Sequence, residues 1–199
     1  MRKLPFLTTL AVGALLGTAC GSDDDSGSAA TSGSATTANA PGGTADFNDA
    51  DVEFAQGMVA HHEQAVEMAE IALDPTRGAR PEVVDLATRI KGAQDPEIQL
   101  MTSWLTEWGK PAAVDTSEGH DMDSTEGMMT ADEMDEMSAL NGPEFDIMWM
   151  EMMIRHHEGA ISQSQDVKAE GSSADVLALA DQIITAQQGE ITEMQQLLG

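Results

Sequence analysis

One stripe of residues, stepping by three and four, is written into this chain twice, 95 positions apart. Asp51, Phe54, Met58, His61, Ala65, Met68 and Ala72 form the first copy, and Asp146, Trp149, Met153, His156, Ala160, Gln163 and Val167 the second. Such steps keep every member on one face of an α-helix, so each copy predicts a helix with one buried side. A second helix follows in each unit. Leu86, Ala87, Ile90, Ala93, Gln94, Glu97, Ile98, Met101 and Leu105 return 93 positions later as Leu179, Ala180, Ile183, Ala186, Gln187, Glu190, Ile191, Met194 and Leu198. The offset shrinks because the second connecting loop is two residues shorter. Two helical hairpins bury four stripes most simply in a four-helix bundle. Tyrosine is absent and no alternation of period two occurs, so the predicted class is all-α.

Helix punctuation sets the boundaries. The first helix should stop near Asp74-Pro75, Pro81 can open the second, and Pro143 suits the first turn of the third long helix. Ser172 or Ser173 can cap the last. Between the units, residues 110–129 are a loop rich in Met, Asp and Gly. Thr130-Ala131-Asp132-Glu133 is a capping-box pattern opening a short extra helix to about Leu140, which Asn141-Gly142 ends. The folded domain is therefore 46–199, with repeat one at 46–109, the Met-rich connection at 110–142 and repeat two at 143–199.

Ahead of it, Arg2 and Lys3 precede an apolar run from Leu4 to Ala19, too short to span a bilayer and typical of a secretory signal. Leu16-Gly17-Thr18-Ala19-Cys20 resembles a bacterial lipobox, although Gly17 stands where leucine is usual. On that resemblance residues 1–19 are a lipoprotein-type signal peptide and Cys20 is the lipidated mature terminus, anchored at the outer face of the cell membrane, periplasmic or extracellular. Ordinary cleavage with Cys20 incidental is the alternative. Cys20 is the only cysteine, which excludes an internal disulfide. Residues 20–45, mostly Gly, Ser, Ala, Thr and Asp, bury too little apolar surface to order themselves. They would act as a tether reaching roughly 28 Å.

The net charge is −26, and loss of the signal leaves seven basic residues against 35 acidic. Such a field repels nucleic acid and anionic lipid and concentrates cations, leaving a lipid anchor as the only membrane contact. An acidic surface that merely aids solubility explains the charge equally well.

The chemistry lies on the repeated stripe. Met58-Val59-Ala60-His61-His62-Glu63-Gln64-Ala65 returns as Met153-Ile154-Arg155-His156-His157-Glu158-Gly159-Ala160, and the two His pairs hold four of the five histidines. Met58 is three before His61 and four before His62, so thioether and imidazole share a face about one turn apart. Met153 stands likewise to His156 and His157, Met152 is four before His156, and Met68 lies two turns beyond His61. Soft sulfur beside borderline nitrogen suits copper(I) or silver(I). The second helices offer Gln94, Glu97 and Met101, with copies Gln187, Glu190 and Met194, as outer partners or further ligands. Nine of the thirteen methionines after Met1 lie within 122–153. Met134, Met137 and Met148 suit core packing, whereas His120, Met122, Met128 and Met129 in the loop suggest a capture or lid segment. No motif for an organic cofactor occurs. One shared metal site and two separate ones remain alternatives.

These strings resemble the bacterial family called domain of unknown function 305. Phe54 to Met68, Gly127-Met128-Met129-Thr130, Glu144 to Ile161, and Ala186-Gln187 to Met194 carry the likeness, which spans roughly 47–199. The family is ferritin-like in fold and includes CopM-type periplasmic copper-binding proteins. The resemblance implies copper or silver binding by Met58, His61, His62, Met152, Met153, His156 and His157, and less firmly Met68. Gln163 departs from it, standing where the family carries methionine seven after the first His.

Three functions follow. One is a non-enzymatic, tethered binder that sequesters or buffers metal ions and exchanges them with a donor or acceptor protein. Another is a structural or interaction module whose buried histidines are satisfied. The last is a di-iron-type bundle oxidase, which wants Glu-x-x-His on two helices. Met58, Val59, Met153 and Ile154 occupy those carboxylate positions instead.

Overall fold

The structure, a computed structural model, describes residues 46–112 and 126–199. The predicted signal segment, Cys20, the tether, His120 and Met122 lie outside them. Five α-helices and no strand occur among the described residues: α1 Asp49–Leu73, α2 Pro81–Glu107, α3 Ala131–Ala139, α4 Gly142–Glu170 and α5 Ala174–Leu198, with one 3₁₀ turn at Pro75–Arg77. α1 packs along α2, α4 along α5, and the hairpins join through α1 and α4. The all-α bundle is as the repeat predicts, and its short extra helix as the Thr130–Glu133 capping box predicts.

Local signals place the ends. Asn48 and Asp51 close a capping box at the start of α1, and Thr130 and Glu133 do the same for α3. Ser173 caps α5. Asn141 does not end α3: Leu140 is its C-cap, and Asn141 is the N-cap of α4. So short a connection makes the stop of one helix the start of the next. α2 continues through Pro96, where the missing N–H should break it. Buried Val83, Leu86 and Ile90 before the proline, and Met101 and Leu105 after it, outweigh the lost bond, at about 1.5–3 kcal/mol for each large side chain buried.

Repeat partners Asp51 and Asp146 tie the hairpins together. Arg80 begins α2 with no side-chain cap of its own, and the Asp146 carboxylate of α4 accepts its N–H at 3.2 and 3.3 Å. In mirror fashion Asp51 of α1 accepts from the Ser172 and Ser173 N–H groups that open α5, at 3.1 to 3.3 Å. A carboxylate at a helix N-terminus satisfies orphan donors and complements the helix dipole.

The apolar core is split in two. One cluster gathers Ala65, Met68 and Ala72 of α1, Leu86 and Ile90 of α2, Phe145, Trp149, Met152 and Met153 of α4, and Ile191 and Met194 of α5. The other gathers Phe54, Met58 and Val59, Met101 and Leu105, Ala160 and Val167, and Leu179 and Ile183. Each long helix thus leaves one cluster and enters the other partway along its length. The crossing residues are His61 and His62, Gln94, His156 and His157, and Gln187, all buried. A polar layer therefore bisects the bundle.

Candidate metal centre

Each repeat contributes the same three polar positions to the layer, so their side chains meet about a pseudo-twofold relation between the hairpins. The His61 and His156 rings approach to 3.8 Å between centroids, tilted by 45°, and His157 lies 6.4 Å from His156. His62 Nε2 meets Glu97 Oε2 at 2.8 Å, and His157 Nε2 meets Glu190 Oε2 at the same distance. These are repeat copies of one pair. The carboxylate sets the ring's orientation, a role that partners of ligating histidines commonly play.

His61 differs from its copy. Its Nε2 lies 3.3 Å from the Glu126 carbonyl oxygen, which can only accept, so Nε2 carries the hydrogen and Nδ1 the lone pair. His156 has no partner at either ring nitrogen. The Nδ1 atoms of His61, His62 and His157 are likewise buried without partners, as are both amide atoms of Gln94 and Oε1 of Gln187. A buried polar atom left unpaired costs about 1–3 kcal/mol, so one layer holding this many orphans is poorly explained by packing alone.

Burial also fixes the charge state. It pushes the His61 pKa down to about 3, the neighbouring His62 adding to the effect while the Glu126 carbonyl opposes it. His156 falls well below its ordinary value for the same first reason, reinforced by His61, His157 and His62. Both rings are neutral at physiological pH, the form in which imidazole donates to a metal.

The predicted sulfur donors flank the layer. Met58 and Met101 are buried in one cluster, and Met68, Met152, Met153 and Met194 in the other. Met58 and Met153 stand one turn before their His pairs on unbroken helix. Met68 is deep in the core, its carbonyl accepting the Trp149 indole N–H at 2.9 Å. Gln163, at the position equivalent to Met68, is half-buried with its Nε2 unpaired. Among the described residues, no three His, Cys, Asp or Glu side chains form a cluster that could hold an ion unaided. The nitrogen and oxygen donors would need sulfur to complete a shell.

Met129 is anchored, and Met128 beside it is half-buried. Met129 is buried, its sulfur 2.6 Å from an Arg155 guanidinium nitrogen, and its backbone is bonded on both sides to the Gln64 amide. Glu126, Gln64, Gly159 and Arg155 are contacts that periodicity did not single out.

The model of the family described as a domain of unknown function, DUF305, matches residues 51–198. A crystal structure of a DUF305 protein from Streptomyces coelicolor, described as secreted, is 31% identical with a TM-score of 0.69, covering 75% of this chain and 91% of that one. CopM in its Cu(I)-bound form is 29% identical with a TM-score of 0.61, over 74% and 94% of the two chains. CopM in a co-crystallised silver-bound form is 28% identical with a TM-score of 0.60, over 74% and 93%. No curated protein sequence matches.

Proposed function

The chain belongs to the DUF305 family, and from that premise we propose that it is a non-enzymatic copper(I)- and silver(I)-binding protein working outside the cytoplasm. Metal ions are its partners. The observation that carries this reading is the buried layer of four histidines whose Nδ1 atoms have no partner. His61, His62, His156 and His157 supply nitrogen, and Met58, Met152 and Met153 supply sulfur, with Met68 a weaker candidate. Glu97 and Glu190 orient His62 and His157 from behind, while Gln94 and Gln187 lie within the layer and Met101 and Met194 border it. Bound there, a soft monovalent ion would satisfy nitrogens that otherwise stay orphaned. The metal-bound forms of CopM support the choice of ion.

A structural module with satisfied histidines accounts for the two His–Glu pairs but not for the bare Nδ1 atoms. Export through residues 1–19 and a lipid anchor at Cys20 fit a buffer placed where metal enters the cell. Among the described residues no helix is long and apolar enough to cross a membrane. Competition for Cu(I) against a chromophoric chelator tests the assignment. The wild type should withdraw copper, and the variant with His61, His62, His156 and His157 all changed to Ala should not. Undiminished uptake by that variant would remove the layer from consideration.

A further inference from the structure

We propose that Glu126–Met129 is a latch, docked on Gly159 and Gln64, that holds His61 in one orientation and gates ion exchange at the histidine layer. The gating half rests on the metal reading above; the docking half does not.

The latch lies on a surface shaped for it. A Cβ built on Gly159 would fall 2.0 Å from the Glu126 carbonyl oxygen and 2.8 Å from Gly127 Cα. One built on Gly127 would fall 2.7 Å from the Arg155 carbonyl oxygen, and Gly127 has a φ of +86°, which L side chains rarely adopt. The two glycines therefore pack backbone to backbone. Gly159 is also a mid-helix glycine, which costs α4 up to about 1 kcal/mol against alanine. Gly92 and Gly189 are mid-helix as well, but nothing lies within 4 Å of a Cβ built on either, so the close backbone approach is particular to Gly159.

Gln64 holds the other end. Its Nε2 donates to the Met129 carbonyl at 2.8 Å, and its Oε1 accepts the Met129 N–H at 2.7 Å, pairing the amide with both backbone groups of one residue. Arg155 adds its guanidinium against the Met129 sulfur and a 2.5 Å contact with Glu133. Gln64 and Gly159 are repeat partners, 95 positions apart, as are Ala60 and Arg155. The duplicated bundle departs from its symmetry where this segment seats.

Docked, the segment sets the Glu126 carbonyl on His61 Nε2 and so assigns the lone pair to Nδ1. The segment makes no hydrogen bond to His156. Gln64 and Gly159 thus act as positioning residues for His61 through the latch, and an ion reaching or leaving that ring needs the segment to lift. Lifting breaks the two Gln64 bonds, and loss of each should raise the opening frequency roughly fivefold to tenfold.

Gly159→Ala is a clean test because it favours the helix while expelling the latch. Gln64→Ala removes the clamp by a separate route. Gly92→Ala serves as control, since nothing lies within 4 Å of a Cβ there. In metal-free protein, amide exchange at Met129 and the long-range ring-nitrogen spectrum of His61 report docking directly. Both latch variants should lose Met129 protection and lose the fixed Nε2–H form of His61, with the control unchanged. Met129 protection and a His61 spectrum equal to wild type in Gly159→Ala would overturn the docking. With Ag(I) loaded, transfer to a chelator should run at least about fivefold faster in the latch variants at unchanged stoichiometry. An unchanged transfer rate despite an undocked latch would overturn the gating. A wild type that takes up neither Ag(I) nor Cu(I) would overturn the metal reading and the gating with it, while the metal-free spectra still decide the docking.

Discussion

Acidification from pH 7 to pH 5 should weaken the metal-free fold through His61 and His156. His61 titrates near 6.5 in the unfolded chain, but burial lowers its pKa to about 3 in the folded one. Between those values the unfolded state binds a proton that the folded state refuses, so stability is full above pH 6.5 and lost as pH falls toward 3. The slope is about 1.4 kcal/mol per pH unit for one such group, or about 2 kcal/mol by pH 5. His156 is displaced in the same direction by the same burial and adds to the loss. For a chain of this size, 2 kcal/mol is worth about 4–8 °C in Tm. Asp74 and Glu133 are held below their ordinary values by Thr76 and Thr130 N–H groups respectively, so their own contributions fade only below about pH 4.5. Urea unfolding followed by helical circular dichroism, on chelator-treated protein at half-unit steps of pH, measures the slope. His61→Leu with His156→Leu should flatten it. A wild-type midpoint that stays level from pH 7 to pH 5, or an acid loss undiminished in the double variant, would refute the link between burial and charge state.

Other expected outcomes separate packing from chemistry. Met58→Leu with Met153→Leu nearly conserves volume and should cost under about 1.5 kcal/mol per site in urea unfolding, yet weaken Cu(I) in chelator competition. Equal Cu(I) affinity would reduce both methionines to core. Glu190→Ala strips His157 Nε2 of its partner and should cost about 1–3 kcal/mol, with a 10- to 100-fold loss of Cu(I) affinity if the carboxylate orients a ligand. Asp146→Ala uncaps α2 and should cost about 0.5–2 kcal/mol in urea without changing metal stoichiometry.

Much of the fold was legible because duplication doubles every local signal. A lone stripe ending at Asp74-Pro75 is weak, but the same stripe ending again, with the same His pair inside it, restricts the chain to two like hairpins. The site was legible in its members rather than in its atoms. Periodicity puts His61 and His156 on seams, yet only tertiary packing brings the rings to 3.8 Å and sets His62 and His157 against Glu97 and Glu190. Asp51 and Asp146 were on the stripe as well. Nothing local distinguishes a buried carboxylate capping a distant helix from one at a seam's edge, because the capped N–H groups of Arg80 and Ser173 belong to other segments.

What the stripes hid is where the two copies disagree. The strings His61-His62-Glu63-Gln64 and His156-His157-Glu158-Gly159 differ at their last letter. A repeat invites the reader to treat such a mismatch as drift. In the structure the mismatch is paired across the layer: the amide of Gln64 grips Met129 from α1, and the bare Cα of Gly159 admits Gly127 from α4. Neither residue could serve in the other's place, since a glycine offers no clamp and a glutamine side chain would occupy the cradle. Symmetry can build the histidine layer, but a single segment crossing a twofold arrangement must meet two different surfaces. The asymmetric letters of a duplicated sequence are therefore where a unique function has to be written, and here they fall beside the ring that a backbone carbonyl holds.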